Sequence, residues 1–192
     1  MKYLSLIFLF FFLFQQQVFS KDVLTNFLIA KPSMPDLRFK ETVVLMLSHN
    51  KKGALGIVIN KRLKKLKISS IFLSKNLIPP KSAKEKEITM YWGGPVESSS
   101  IFFIHSSDYK SNNSILSNEN FTITRSPDLL FDIVEDTGPK NYLIISGIST
   151  WSPGQLEFEI KQGDWDRKLN NYTSIFNNSD KIWDILINTQ NI

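Results

Sequence analysis

His49 and His105 are the only two side chains in this sequence whose ordinary titration falls near neutral pH. An imidazole held by a carboxylate is a common way to build a general base. His49 with Asp36 or Glu157 is the pairing worth testing, although the three positions are scattered along the chain. Asn50, Asn60, His105, Gly93, Gly94, Gly154 and Gln155 also lie where strands and turns meet. Such places present side chains and backbone N–H groups to a ligand from a rigid support. Gln155 and Glu157 fall in the first turns of an expected helix, whose outward N–H groups favour an anion. A small ligand carrying a carboxylate or phosphate is the guest this end would suit. Each residue also has a purely structural use. Glycine serves where backbones crowd, Asn50 suits a turn, Ser152 suits a helix cap and Glu157 complements a helix dipole.

Much chemistry is excluded. The chain has no Cys, which removes disulfides, Cys-ligated zinc, iron–sulfur clusters and thiol catalysis. The two His lack the spacing of a His-rich metal motif, and neither a metal nor a cofactor is expected. There is no Gly-x-Gly-x-x-Gly, no Walker loop and no Gly-x-Ser-x-Gly elbow. Helix-turn-helix, zinc-finger and aromatic RNA-binding patterns are missing as well.

Charge nevertheless raises the question of an anionic partner. The 192 residues carry a formal +5. Lys2 contributes one unit, and Lys61, Arg62, Lys64, Lys65 and Lys67 contribute five within seven residues, so the remainder stands at −1. The protein is basic in one patch only. That patch reads as a solvated stretch between a strand and a helix, or as a contact for phosphates or anionic lipid. Nucleic acid is not an expected partner.

The elements that must position these residues are short. Residues 26–30, 42–48 and 54–60 read as strands, the last two forming a hairpin across His49–Gly53. A short amphipathic helix is expected after Ile68, ending before Pro79-Pro80. Residues 88–92, 101–105, 121–124 and 142–148 read as further strands. Residues 81–87 and 106–120 read as exposed loops. Ser126-Pro127-Asp128 has the form of a helix start, with Ser126 as cap. Pro153 opens a helix to about Gln162 with Gly163 as its C-terminal cap, and Asp180 to about Thr189 is a last helix with Trp183 on its apolar face. Hairpins outnumber crossovers, so the class is α+β in a single domain.

The first twenty residues are expected to lie outside that domain. A positive start is followed by an apolar run from Leu4 to Phe14, three Gln, and Val18-Phe19-Ser20. This is the order of a secretory signal peptide cleaved after Ser20. Eleven residues fall short of the roughly 20 that a membrane span needs. The alternative is an uncleaved N-terminal anchor. Residues 21–192 form the expected domain.

Four segments are more specific than packing requires: Leu28 to Phe39 with Pro32, Pro35 and Asp36; His49-Asn50 followed by Gly53-Ala54-Leu55-Gly56; Gly93-Gly94-Pro95; and Trp151-Ser152-Pro153-Gly154-Gln155-Leu156-Glu157, with Gly147 before it and Trp165 after. In this order and spacing they resemble the YqgE/AlgH family of bacterial proteins over nearly the whole chain from Asn26 to Trp183. The resemblance implies a single α+β domain with a bent, mixed, partly barrel-like sheet flanked by helices. It implies no settled activity; members are often labelled transcriptional regulators without a DNA-binding motif behind the label. Three features depart from the family: the export signal, since most members are read as cytoplasmic; Gly147-Ile148-Ser149, where relatives often have Gly-Tyr-Ala; and an end at Ile192, where many members are expected to carry a longer C-terminal tail.

The function expected from these observations is a non-enzymatic binding or accessory protein of the cell envelope, periplasmic after export. Its partner would be an unidentified protein or small anionic ligand, with an anionic membrane contact through Lys61–Lys67. The alternatives are a small-molecule binder or hydrolase-like enzyme using His49, Asp36 and Glu157, and a cytoplasmic transcriptional regulator.

Overall fold

Three apolar clusters, one inside a curled sheet and two outside it, organise the fold in a computed structural model of the protein. The structure describes residues 26–169, 175–176 and 181–189; the leader expected at 1–20 lies outside them. Ten strands form one sheet among the described residues: β1 (Asn26–Ala30), β2 (Val43–Asn50), β3 (Gly53–Val58), β4 (Arg62–Lys67), β5 (Glu87–Trp92), β6 (Val96–Ser106), β7 (Ser114–Ser117), β8 (Phe121–Thr124), β9 (Tyr142–Trp151) and β10 (Trp165–Leu169). Four α-helices of seven or eight residues accompany them among the described residues, α1 (Ile68–Ser74), α2 (Asp128–Val134), α3 (Gln155–Gln162) and α4 (Ile182–Asn188), and the stretch expected as loop at 81–87 contains a 3-10 turn at Lys81–Lys84.

The strand order is β10-β1-β2-β3-β9-β6-β8-β7, with β5 also on β9 and β4 on β5. Every pairing is antiparallel except β5 with β9. The sheet is therefore mixed, as expected, and the class is α+β, a half-barrel in one domain.

Successive side chains of a strand point to opposite faces, and here both faces are covered. Phe27, Ile29, Val43, Leu45, Ile57, Phe102, Ile104 and Ile145 face inward, where Ile182 of α4 joins them. Their neighbours face outward. Leu28, Val44, Met46 and Val58 pack with Trp151, Trp165 and Leu156 of α3. Ile101, Phe103 and Ile144 pack with α1 and α2. Burial on both faces is why these strands read as unbroken apolar runs rather than alternating ones.

The middle of the sheet is a junction on β9. One edge of β9 pairs with β6; the other pairs first with β5 and then with β3. Gly93 sits where β5 yields to β3. Its N–H donates to Ser146 O at 2.8 Å, and its carbonyl accepts from Val58 N and from Ser149 Oγ at 3.0 Å each. A Cβ at Gly93 would lie 2.2 Å from Gly147 O, and one at Gly94 would lie 2.1 Å from the Ile148 carbonyl. Only backbone without side chains fits this crossing.

Several sequence expectations need correction. Residues 62–67 are strand β4, not a stretch leading from strand to helix; the strand is held by its ladder with β5. The loop expected at 106–120 contains β7, built on Ile115 and Leu116. Trp165–Leu169 is a strand, pairing residue for residue with β1. Helix α2 starts at Asp128 with Pro127 at the cap position; the Ser126 hydroxyl bonds the Asp128 carboxylate instead of a backbone N–H. Helix α3 starts at Gln155, behind Gly154 in the left-handed region, and ends at Gly163 as expected.

Candidate functional site

The hairpin β2–β3 and helix α3 meet at the end of β9. His49 pairs with Ala54 across the hairpin, and Ala54 pairs with Trp151 at the last position of β9. The chain then turns through Ser152–Gly154 into α3, so the first helical turn lies over the hairpin. His49 and Glu157, 108 residues apart, are joined by a 2.7 Å contact from Nε2 to Oε1. The imidazole is about one quarter exposed and the carboxylate about one half. The N–H at Nε2 donates to the carboxylate, which leaves Nδ1 as the acceptor when the ring is neutral. The Glu157 carboxyl is held below its usual range, first by a hydrogen bond from its own backbone N–H and then by that from His49.

Asp36 does not join this pair. Its carboxylate is bonded to Arg38 two residues on, through Nε, Nη2 and the backbone N–H at 2.6–3.1 Å. The Arg38 guanidinium lowers its pKa in consequence. A partner two residues away reaches Asp36 with little chain to order, so the loop closes on itself.

The other candidate residues have structural partners. Asn50 Oδ1 accepts from Lys52 N at 2.8 Å and shapes the hairpin turn. Asn60 bridges two segments, accepting from Val43 N at 2.8 Å and donating to Glu41 O at 2.9 Å. Gln155 accepts from Ser152 N at 3.0 Å and donates to Glu159 Oε1 at 2.9 Å, closing the turn before α3. Gly93 and Gly94 are buried in the β9 junction, where no ligand can approach them. Gly154 is exposed with open space around its Cα.

Two further groupings stand out. Glu159 accepts from the indoles of both Trp151 and Trp165 at 2.8 Å on one oxygen, and from Gln155 on the other. Phe39 packs between Trp92 and Trp165 at centroid distances of 5.3 and 5.6 Å. The sequence pattern that could have found Glu159 is its place between two tryptophans, six and eight residues away.

The basic patch resolves into a sheet edge. Strand β4 pairs with β5 alone. Arg62, Lys64, Lys65 and Lys67 are all exposed. Lys61 is not part of it: its ammonium donates to Arg38 O at 2.6 Å and lies 5.4 Å from the centre of the Trp92 ring. Lys67 faces Glu85 at 3.7 Å. Among the described residues, no three His, Asp or Glu side chains converge as a metal ion would require.

Comparison with known proteins places these features in a wider set. A model of the AlgH-like family matches residues 27–192. A UPF0301 protein of Cereibacter sphaeroides is 37% identical over 145 residues, covering 75% of this chain and 78% of its own. One from Ruegeria pomeroyi is 38% identical with the same coverage. The solution structure of the AlgH protein from Pseudomonas aeruginosa superposes with a TM-score of 0.66 at 28% identity, covering 92% of this chain and 100% of that one. A crystal structure from Corynebacterium diphtheriae, at 20% identity and a TM-score of 0.64, shares the fold.

Proposed function

The chain belongs to the AlgH-like family, and from that premise we propose that it is a binding or accessory protein of the cell envelope, docking to an anionic membrane surface through strand β4. The observation that carries the reading is one strand with four exposed cations, Arg62, Lys64, Lys65 and Lys67, at an edge of the sheet. Outside residues 61–67 and Lys2 the chain has a net charge of −1, so the attraction is local and orienting. A basic residue near an anionic bilayer contributes about 1 kcal/mol, falling off within a Debye length. Lys67 already faces Glu85, so the patch supplies on the order of 2–3 kcal/mol at low salt, enough for reversible contact. The leader at 1–20 supports export to the compartment where this surface lies.

Vesicle flotation tests the contact. The chain beginning at Lys21 is expected to float with vesicles containing phosphatidylglycerol and not with phosphatidylcholine alone. Raising NaCl to about 0.5 M should release it, because screening shortens to a few ångströms. Replacing Lys64 and Lys65 with Gln should weaken binding by about 30-fold, from two cations at about 1 kcal/mol each. Equal binding to neutral vesicles, or none to anionic ones at low salt, overturns the proposal. N-terminal sequencing of the native protein tests the compartment: a start at Lys21 in the envelope fraction is expected, and an intact Met1 in the cytosol refutes export.

A further inference from the structure

Three exposed apolar side chains stand in the basic stretch that contains β4. Leu63 on β4 is 49% exposed, Leu73 on α1 is 63% exposed and Ile78, just beyond α1, is 88% exposed. An exposed leucine by itself means little. What sets these three apart is the charge around them. Between Lys61 and Lys84 the chain carries no acid, and Lys75 and Lys81 add two exposed cations to those of β4. Elsewhere the pattern is the reverse. Of the six other large apolar side chains exposed among the described residues, five have an acid next in the chain, as Leu37 has Asp36 and Phe158 has Glu157 and Glu159.

The local backbone presents Leu73 and Ile78 on a firm support. Ile68, Ile71 and Phe72 recur at helical spacing and are buried, which leaves Leu73 on the solvent side of α1. Asn76 then takes a left-handed conformation at φ 57°. Its N–H donates to Leu73 O at 3.0 Å, and that of Leu77 donates to Phe72 O at 2.9 Å, which closes the helix end. Leu77 packs back against the core between α1 and α2. Pro79 and Pro80 restrict the backbone directly after Ile78. Lys64 and Leu66 share one face of β4, and Leu66 packs against the cluster that holds Ile68, Ile71 and Phe72. Helix α1 therefore lies on the face from which Lys64 projects. At about 1.5 Å per residue, Leu73 is about 9 Å along the helix from Lys67, within one Debye length at about 0.1 M salt.

Resting on the membrane reading of β4, we infer that Leu73 and Ile78 are the side chains that enter the bilayer. The cations from Arg62 to Lys75 hold the surface against acidic lipid headgroups, and the two aliphatic groups bury at the acyl-chain boundary beneath. An anionic bilayer offers both parts of this match, a negative plane and hydrocarbon a few ångströms below it. A water-soluble acidic ligand would satisfy the cations and leave Leu73 and Ile78 in water.

The chain has no Cys, so one introduced thiol can be labelled alone. Ile78→Cys, and Phe158→Cys as a control beside two acids, each carry a nitrobenzoxadiazole fluorophore on the chain beginning at Lys21. With phosphatidylglycerol vesicles at low salt, the label at 78 should brighten, shift to the blue and be quenched by a nitroxide on the lipid acyl chain. The label at 158 should keep its aqueous spectrum. Raising NaCl to about 0.5 M should return the label at 78 to water, because the cations supply the approach. Leu73→Ser combined with Ile78→Ser, without a label, should lower vesicle partitioning about 30-fold, each side chain contributing about half of a full burial. Its circular dichroism should match the native protein, since both positions are exposed. A label at 78 that stays in water on vesicles the protein has bound overturns the insertion and leaves the docking of β4 intact. So does an equal response at 158, or partitioning that the serine pair leaves unchanged. No binding of the native chain to anionic vesicles at low salt overturns both the docking and the insertion.

Discussion

Substituting Gly93 by Ala tests the junction on β9. The new Cβ would sit 2.2 Å from Gly147 O and 2.5 Å from Ile145 Cγ2. Ordinary contact begins near 3.4 Å, so β5 and β9 must part by about 1 Å. Overpacking of this kind costs about 1–3 kcal/mol. Separation also weakens the bonds from Gly93 N to Ser146 O and from Ser149 Oγ to Gly93 O, at about 1 kcal/mol each. The expected loss is about 3–5 kcal/mol, or roughly 6–20 °C in Tm for a domain of this size. Gly154→Ala is the contrast. It meets no atom within 4 Å but has φ +77°, so it costs only the left-handed penalty of about 1–2 kcal/mol. Urea unfolding followed by tryptophan fluorescence measures both. Gly93→Ala within about 1 kcal/mol of the native protein, or less harmful than Gly154→Ala, would refute the reasoning that backbone contact alone dictates glycine here.

Two other outcomes follow from buried polar groups. Glu159→Ala should cost about 3 kcal/mol by urea unfolding, because the nearly buried indole N–H groups of Trp151 and Trp165 both lose their acceptor; Glu159→Gln, which keeps one carbonyl oxygen, should cost less. The His105 pKa lies below 6.5 in the folded chain through burial, so the unfolded chain binds the proton first. Its contribution is full above pH 6.5 and is lost as pH falls through the folded pKa; His105→Gln should remove this part of the acid slope between pH 7 and 5.

The strands with two buried faces were legible because a short, mostly apolar run bounded by turn residues has no other economical use. Residues 26–30, 54–58 and 142–148 are of this kind. Strand β4 was not, because its cations and its nearly continuous exposure leave no apolar alternation to read. Strand β10 was hidden for a related reason: Trp165 is its one buried residue, and Asp166, Arg167 and Lys168 look like loop. Of the candidate site, the meeting of His49 and Glu157 was anticipated as a pairing to test, since each sits beside a marked turn. The exclusion of Asp36 was not, although Arg38 two residues away was the nearer cation. The approach of Ser111 to His105 depends on how the loop after β6 folds back. No spacing along the chain encodes that.

Strand β9 also sets the order in which the molecule can be assembled. Strands β1 to β3 can associate early, as can β4 with β5 and β6 with β8, but the strand ladders that join the three groups all run through residues 142–151. Pairing Ala54 with Trp151 closes a loop of nearly one hundred residues, which makes the step slow and non-local. A chain emerging at about 5–20 residues per second spends several seconds as separate, partly apolar pieces before β9 exists. That interval is when a holding chaperone has most to bind, and when the polypeptide is still loose enough to be threaded through a narrow pore.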